Sequence, residues 1–389
     1  MCGNSISFGG KNMRNLLVGN GINIQFDKIS YSTKEIVLRI LKNCDREDFP
    51  SHIIVNEPYL IKNYIGRLFL EARMVLQGYY DEFTNCSAEV SSLAAFKEQY
   101  SKRLSTLKMT DIGFEDYYLI HDLVCHKFNI KNPEQYHCRE GMRTAYLWSI
   151  YNDGKLDKLY HQYSEKFIDY LKGFDSVFTT NYDSNIDCAI GKEIYHIHGW
   201  FKQRAAVYDY ESFRNQLPDA PIKDVSVDEN YYYLYSNALT THCGAYKEFQ
   251  LKQYSYANEA ITKLASAYTS NITVRNDVDS WITEDNKITA NMGYAVKLKV
   301  ANPSLEFRDD YHFDRLTNIE GEIEILGLSP WNDFHIFEAI DKADLRKCTY
   351  YYFSQEQCDK ISELLPTLAS KKLIDFVPVA DFWREMDEK

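Results

Sequence analysis

Short apolar runs that stop abruptly in small or polar residues recur along the chain. Asn15 to Val18 reads as a buried parallel strand, because a continuous apolar run followed at once by Gly19-Asn20-Gly21 delivers a turn and a helix. Ser176-Val177-Phe178-Thr179, rich in β-branched and aromatic residues, is a second strand and ends in Thr180-Asn181-Tyr182-Asp183. Ile194 to His198 forms a third, and its period of two puts His196 and His198 on one face. Glu322 to Leu326 is a fourth, followed by Gly327-Leu328-Ser329-Pro330 and a helix predicted over Phe334–Ile340. Thr349–Phe353 and Leu373–Val379 add two more strands, each alternating with helical segments, so the pattern predicts an α/β fold with a Rossmann-like parallel sheet.

Between the first two strands the period changes. Ile36, Val37, Ile40 and Leu41 recur at helical spacing, as do Ile61, Tyr64, Ile65 and Leu68, with further helical stretches near residues 93–107, 115–125, 141–151 and 156–171. Residues 33–172 therefore read as a large helical insertion that covers a site, carries partner contacts or serves as scaffold. A second, smaller insertion is expected over 201–318. It holds the Tyr231-Tyr232-Tyr233-Leu234-Tyr235 cluster and a helix over Ala257–Tyr268; from Ser270 to about Asn318, where polar and apolar residues alternate without a clear period, it reads as a small insertion or an extended loop with short strands. Residues 1–12 are a lead-in to a nucleotide-binding domain over 13–389.

At 389 residues, the chain fits one nucleotide-binding core carrying insertions, or two domains. Hydrophobic residues make up 45% and 31 are Tyr, enough for a sizeable core with tyrosines left for interfaces. The net charge of −12 repels phosphate backbones and disfavours direct nucleic-acid binding by this chain. Nine cysteines without a Cys-x-x-Cys pair fit reduced thiols and a cytoplasmic setting, and no apolar run is long enough to cross a bilayer. Gly9-Gly10-Lys11-Asn12 lacks the spacing and the Ser/Thr of a P-loop, so any ATPase must be another chain.

Polar groups at the carboxyl ends of parallel strands lie where open α/β sheets place ligands. Gly19 and Gly21 would let the backbone approach a phosphate, although the third glycine of the dinucleotide fingerprint is replaced by Ile24, and a tight strand-helix turn without a ligand explains the pair as well. Ser329 at its turn can donate to a phosphate or ribose, or act as a helix cap.

Taken as a set, Gly19-Asn20-Gly21-Ile22-Asn23, Thr180-Asn181-Tyr182-Asp183, His198-Gly199 and Gly327-Leu328-Ser329 resemble the sirtuin-like family, and most of all its NAD-hydrolysing branch in bacterial antiphage defence. The length and helical insertion resemble the subunit of that branch that assembles with a HerA-type ATPase. The resemblance implies a sirtuin-type core, NAD as substrate, homo-oligomers and the ATPase as partner. It also implies roles: Asn181 holds the ribose hydroxyls or the attacking water, Asp183 accepts from the nicotinamide amide, and His198 is the general base. Gly19, Gly21 and Ser329 would cradle the pyrophosphate, with Asn20, Asn23, Thr180, Gly199, Gly327 and Asn332 as further contacts. Cys188 and Cys243 stand alone, so no zinc ribbon or other metal site is expected, and Gln25-Phe26-Asp27-Lys28 replaces the Pro-Asp-Phe-Arg run of deacylases. The alternatives are a module that senses NAD or ADP-ribose without turnover, and an accessory subunit in nucleic-acid processing.

Overall fold

The computed structural model describes residues 13–387 apart from 54–57, 132–133, 204–215, 218–219, 222–227, 240–244, 285–286, 305–310 and 332. Asn332 lies outside the described residues. The chain divides into two compact units, one of Met1–Asp27, Lys158–Ile197 and Tyr311–Lys389, the other of Lys28–Asp157 and His198–Asp310.

The first unit is a six-stranded, wholly parallel sheet. Its strands are β1 (Arg14–Val18), β2 (Ser176–Thr179), β3 (Tyr195–His196), β6 (Glu320–Leu326), β7 (Asp344–Tyr352) and β8 (Ile374–Pro378); β4 (Gln216–Leu217) and β5 (Ala220–Pro221) are a two-residue pairing in the other unit. The sheet runs β3-β2-β1-β6-β7-β8, which by position in the unit is the 3-2-1-4-5-6 order of doubly wound, Rossmann-like sheets. The continuous apolar runs of β1 and β2 follow from burial on both faces. Alternation along each strand sends Leu16, Val18 and Val177 to one core and Leu17, Phe178, Ile323 and Ile325 to the other.

Helices cover each face with their apolar stripes. Phe167 and Leu171 of the helix Glu165–Lys172 join Phe382, Trp383 and Met386 of the helix Val379–Asp387 on the first. Ile336, Phe337 and Ile340 of the helix Phe334–Lys342 lie on the second with Ile361. The Ser164 hydroxyl starts the helix Glu165–Lys172 by accepting from Phe167 N at 3.1 Å. Sequence periodicity groups this helix with the insertion that precedes it, but its apolar stripe packs on the sheet core. The described cysteines are free thiols, and no described helix is long and apolar enough to cross a membrane.

The second unit is helical and is built from both inserted stretches. The first supplies Thr33–Asn43, Pro58–Leu76, Ser87–Tyr100, Asp116–Phe128 and Glu134–Tyr151; the second supplies Ala245–Ser270, Ile272–Trp281 and Lys287–Ala301. The expectation of an extended loop with short strands from Ser270 onward is therefore corrected. β-branched Ile272, Thr273, Val274 and Val278 have strand-like propensity, yet Val278 and Val296 pack with Ile261 of the long helix, and that packing outweighs the local preference.

His121, fully buried in this unit, makes a testable demand. Tyr64 OH lies 2.7 Å from its Nδ1, and burial lowers its pKa to about 4. The unfolded chain takes up the proton near the ordinary 6.5, so the stability present above that pH is lost as pH falls toward 4. At pH 5 the expected loss from this group is about 2 kcal/mol. Asp116, which burial pushes up to about 6, acts in the opposite sense. Urea unfolding at pH 7 and pH 5 should therefore be compared between the wild type and His121→Asn, which share Asp116. A pH response identical in the two proteins contradicts the assignment.

Candidate functional site

In a sheet of this order, neighbouring crossovers leave toward opposite faces beside β1, and the crevice at the carboxyl ends of β1 and β6 is the topological switch point. The loops after these two strands interlock. Gly19 N donates to Leu326 O at 2.9 Å and Gly21 N to Gly327 O at 2.8 Å. A Cβ on Gly19 would stand 2.5 Å from Gly327 O, and one on Gly21 would stand 2.5 Å from Gly327 Cα, while Gly327 itself has φ +72°. The glycines thus allow two backbones to touch: the room their missing side chains free is filled by the β6 loop, and these two N–H groups are already donated, so neither is left to cradle a phosphate. Ser329 is half-buried and its Oγ accepts from Trp331 N at 3.4 Å, leaving the hydroxyl hydrogen to donate.

β2 delivers the next group alongside. Asn181 N donates to Thr179 Oγ1 at 3.0 Å, and Thr179 Oγ1 donates to Val18 O at 3.2 Å, so the loop start is pinned to β1. Thr180 N donates to Val18 O at 3.0 Å. The Asn181 amide reaches Gly19 O at 3.4 Å and is buried. Asp183 is buried and holds three donors: Asn185 N at 3.0 Å and Asn185 Nδ2 at 2.7 Å on one oxygen, Asn23 Nδ2 at 2.7 Å on the other. Burial raises its pKa, against the pull of these hydrogen bonds and of His196.

These contacts fix the sense of both amides. Asn185 Oδ1 accepts from Tyr160 N at 3.1 Å, and Asn23, on the helix Gly21–Phe26, gives its NH2 to Asp183 and more weakly to Asn20 Oδ1 at 3.4 Å. Asn23 Oδ1 is then a buried acceptor with no hydrogen-bond partner among the described residues. Such an atom costs free energy unless a ligand or water supplies a donor.

No family model, curated protein or solved structure matches the chain. The chemistry therefore rests on the residues themselves. Gly19, Asn20, Gly21, Asn23, Thr180, Asn181, Asp183, Gly327 and Ser329 all belong to the sheet unit. His198 and Gly199 open the second stretch of the helical unit. There, Gly199 has φ +93°, a Cβ on it would collide with the Asn237 carbonyl, and Asn237 Oδ1 accepts from Trp200 N at 2.8 Å. His198 is buried.

Sequence reading missed Asn185, which orients Asp183, and, although it noted His196, missed the contact of its Nδ1 with Asn181 O at 3.0 Å. An Asp-x-Asn step at the start of a helix was the available signal for the first. Asp183→Asn tests the amide arrangement. It would set an NH2 group against Asn23 Nδ2 and force the Asn23 amide to turn, replacing the presented acceptor by a donor. The expected result is a loss of about tenfold or more in affinity for NAD, in titration calorimetry, with little change in melting temperature. Unchanged affinity would sink this reading of Asn23.

Proposed function

We propose that the chain is an NAD hydrolase that cleaves the bond between nicotinamide and ribose. Water adds to the anomeric carbon, nicotinamide leaves with the bonding pair, and the proton lost by the water is taken up by a base. Nicotinamide departs as a neutral molecule from a cationic ring, so orientation and electrostatic shelter supply most of the rate. The observation that carries the reading is the meeting of the β1 and β6 loops at the switch point of a Rossmann-ordered sheet, beside a buried polar set that keeps one acceptor, Asn23 Oδ1, for a ligand.

In this proposal Asn181 holds the ribose hydroxyls or the water. Asp183 acts through Asn23 and Asn185, its three bonds making it a positioning group. Ser329 donates to the phosphates or ribose, and Gly19, Gly21 and Gly327 let the β1 and β6 loops close on each other beside it. His198 keeps the role of general base that the family resemblance implies, as does the wider setting: antiphage depletion of NAD within a homo-oligomer bound to a HerA-type ATPase.

The test is incubation of the purified full chain with NAD, alone and with the ATPase, with nicotinamide and ADP-ribose resolved by chromatography. Stoichiometric release of both supports hydrolysis. Saturable NAD binding without release under either condition would replace the enzyme by a sensing module.

A further inference from the structure

Within the sheet unit, Asn181 is fixed by its neighbours at every polar atom but one. Its N–H donates to Thr179 Oγ1 and its side-chain NH2 reaches Gly19 O. Its carbonyl lies beyond the end of β2, where no strand neighbour serves it, and accepts at 3.0 Å from His196 Nδ1. The other ring nitrogen of His196 lies 3.2 Å from a carboxylate oxygen of Asp187, on the helix Asn185–Ile190. That helix begins two residues after Asp183, and its first residue is the Asn185 that holds Asp183.

We propose that His196 is a positioning residue, which bridges the Asn181 carbonyl to Asp187 and thereby fixes the polar loop 180–185 at the end of β2. The inference rests on the NAD-hydrolase reading for its effect on turnover. It stands on its own for its effect on the loop. β3 pairs with β2 through Phe178–Tyr195 and Thr179–His196, and Ile197 N donates to Thr179 O at 2.9 Å, so the ladder on this edge stops at Thr179, short of the loop. A buried imidazole at the second of these positions costs desolvation that an apolar residue would avoid, and this cost is offset only where both nitrogens find partners. Here one partner, Asn181, lies at the start of the loop and the other, Asp187, in the helix that follows it. The same ring lies close enough to favour the charged form of Asp183, the form that accepts from both amides at once.

Two substitutions separate positioning from packing. His196→Phe fills the space and removes both ring nitrogens; His196→Asn restores a donor near Nδ1 and loses the contact to Asp187. With nicotinamide release as the readout, His196→Phe is expected to lower kcat by about tenfold to a hundredfold while KM for NAD moves by less than about threefold. His196→Asn is expected to recover most of kcat. Amide hydrogen exchange on the ligand-free proteins should quicken across 180–185 in His196→Phe, with β1 and β6 as protected as in the wild type. Wild-type kcat and exchange in His196→Phe overturn the proposal, as does a His196→Asn as impaired as His196→Phe. If the wild type itself releases no nicotinamide, the hydrolase reading fails and the exchange comparison alone decides the role of His196: faster loop exchange in His196→Phe upholds it, and unchanged exchange overturns it.

Discussion

Replacing Arg143 by methionine is expected to destabilise the helical unit by about 3–5 kcal/mol, the scale seen when one partner of a buried charged network is removed. Arg143 is 1% exposed on the helix Glu134–Tyr151. Its guanidinium donates to four backbone carbonyls of a single segment: Leu234 O at 2.9 Å, Ser236 O at 2.6 Å, Ala238 O at 2.7 Å and Leu239 O at 3.2 Å. A buried carbonyl stripped of its donor costs roughly 1–3 kcal/mol, and four would lose theirs together. The segment also holds Leu239 at φ +52°, a region that bulky side chains rarely adopt and that its hydrogen bond to Arg143 helps to keep. Arg143→Lys keeps the charge but offers three donors from one point, so it should fall between the two. Urea unfolding followed by circular dichroism reads the result, and a methionine variant within about 1 kcal/mol of wild type contradicts the account. The same segment carries Asn237, which packs on Gly199 and accepts from Trp200 N. The backbone beside His198 should loosen with it.

Asn181→Ala is expected to lower nicotinamide release by about a hundredfold or more, the usual scale for loss of a key positioning group or general base. The alanine removes the amide that spans from β2 to Gly19 O, while the backbone bonds from Asn181 N and O to Thr179 and His196 remain. The fold should therefore survive, and the melting temperature should stay within a few degrees of wild type. His198→Ala is expected to match that loss if His198 is the base, and the double variant to add little to either, because groups acting in one step are not additive. An Asn181→Ala protein that releases nicotinamide at the wild-type rate removes the residue from the reaction.

The centre of the sheet was legible because β1 and β2 are buried on both faces and end in polar or glycine loops. Leu16-Leu17-Val18 cannot be mistaken for a half-exposed strand, whereas β6 was legible by alternation, Ile323 and Ile325 buried between partly exposed Glu322 and Glu324. The division of the chain was less legible. The helix Glu165–Lys172 has the same spacing as the helices before it, and only its packing of Phe167 and Leu171 on the sheet assigns it to the first unit. The helices over 272–301 were hidden by β-branched residues whose local preference is overruled by Ile261, Val278 and Val296.

At the site, residue types were easier to read than their use. Gly19 and Gly21 signalled close approach, and the neighbour they approach is the β6 loop. Asp183 looked available to a ligand; its oxygens instead hold Asn23 and Asn185, and the acceptor left over is on Asn23. The period of two over 194–198 draws attention to His196 and His198 together, but β3 ends at His196, His198 belongs to the other unit, and the contact from His196 to Asn181 O links residues fifteen apart with no signature in the sequence.

The most direct measurement is a crystal structure of Asn181→Ala soaked with NAD, a variant expected to bind the dinucleotide and leave it intact. The account predicts density for NAD across the carboxyl ends of β1 and β6, with a donor of the ligand within hydrogen-bond distance of Asn23 Oδ1. NAD bound elsewhere on the protein, or no density at saturating concentration, would contradict it.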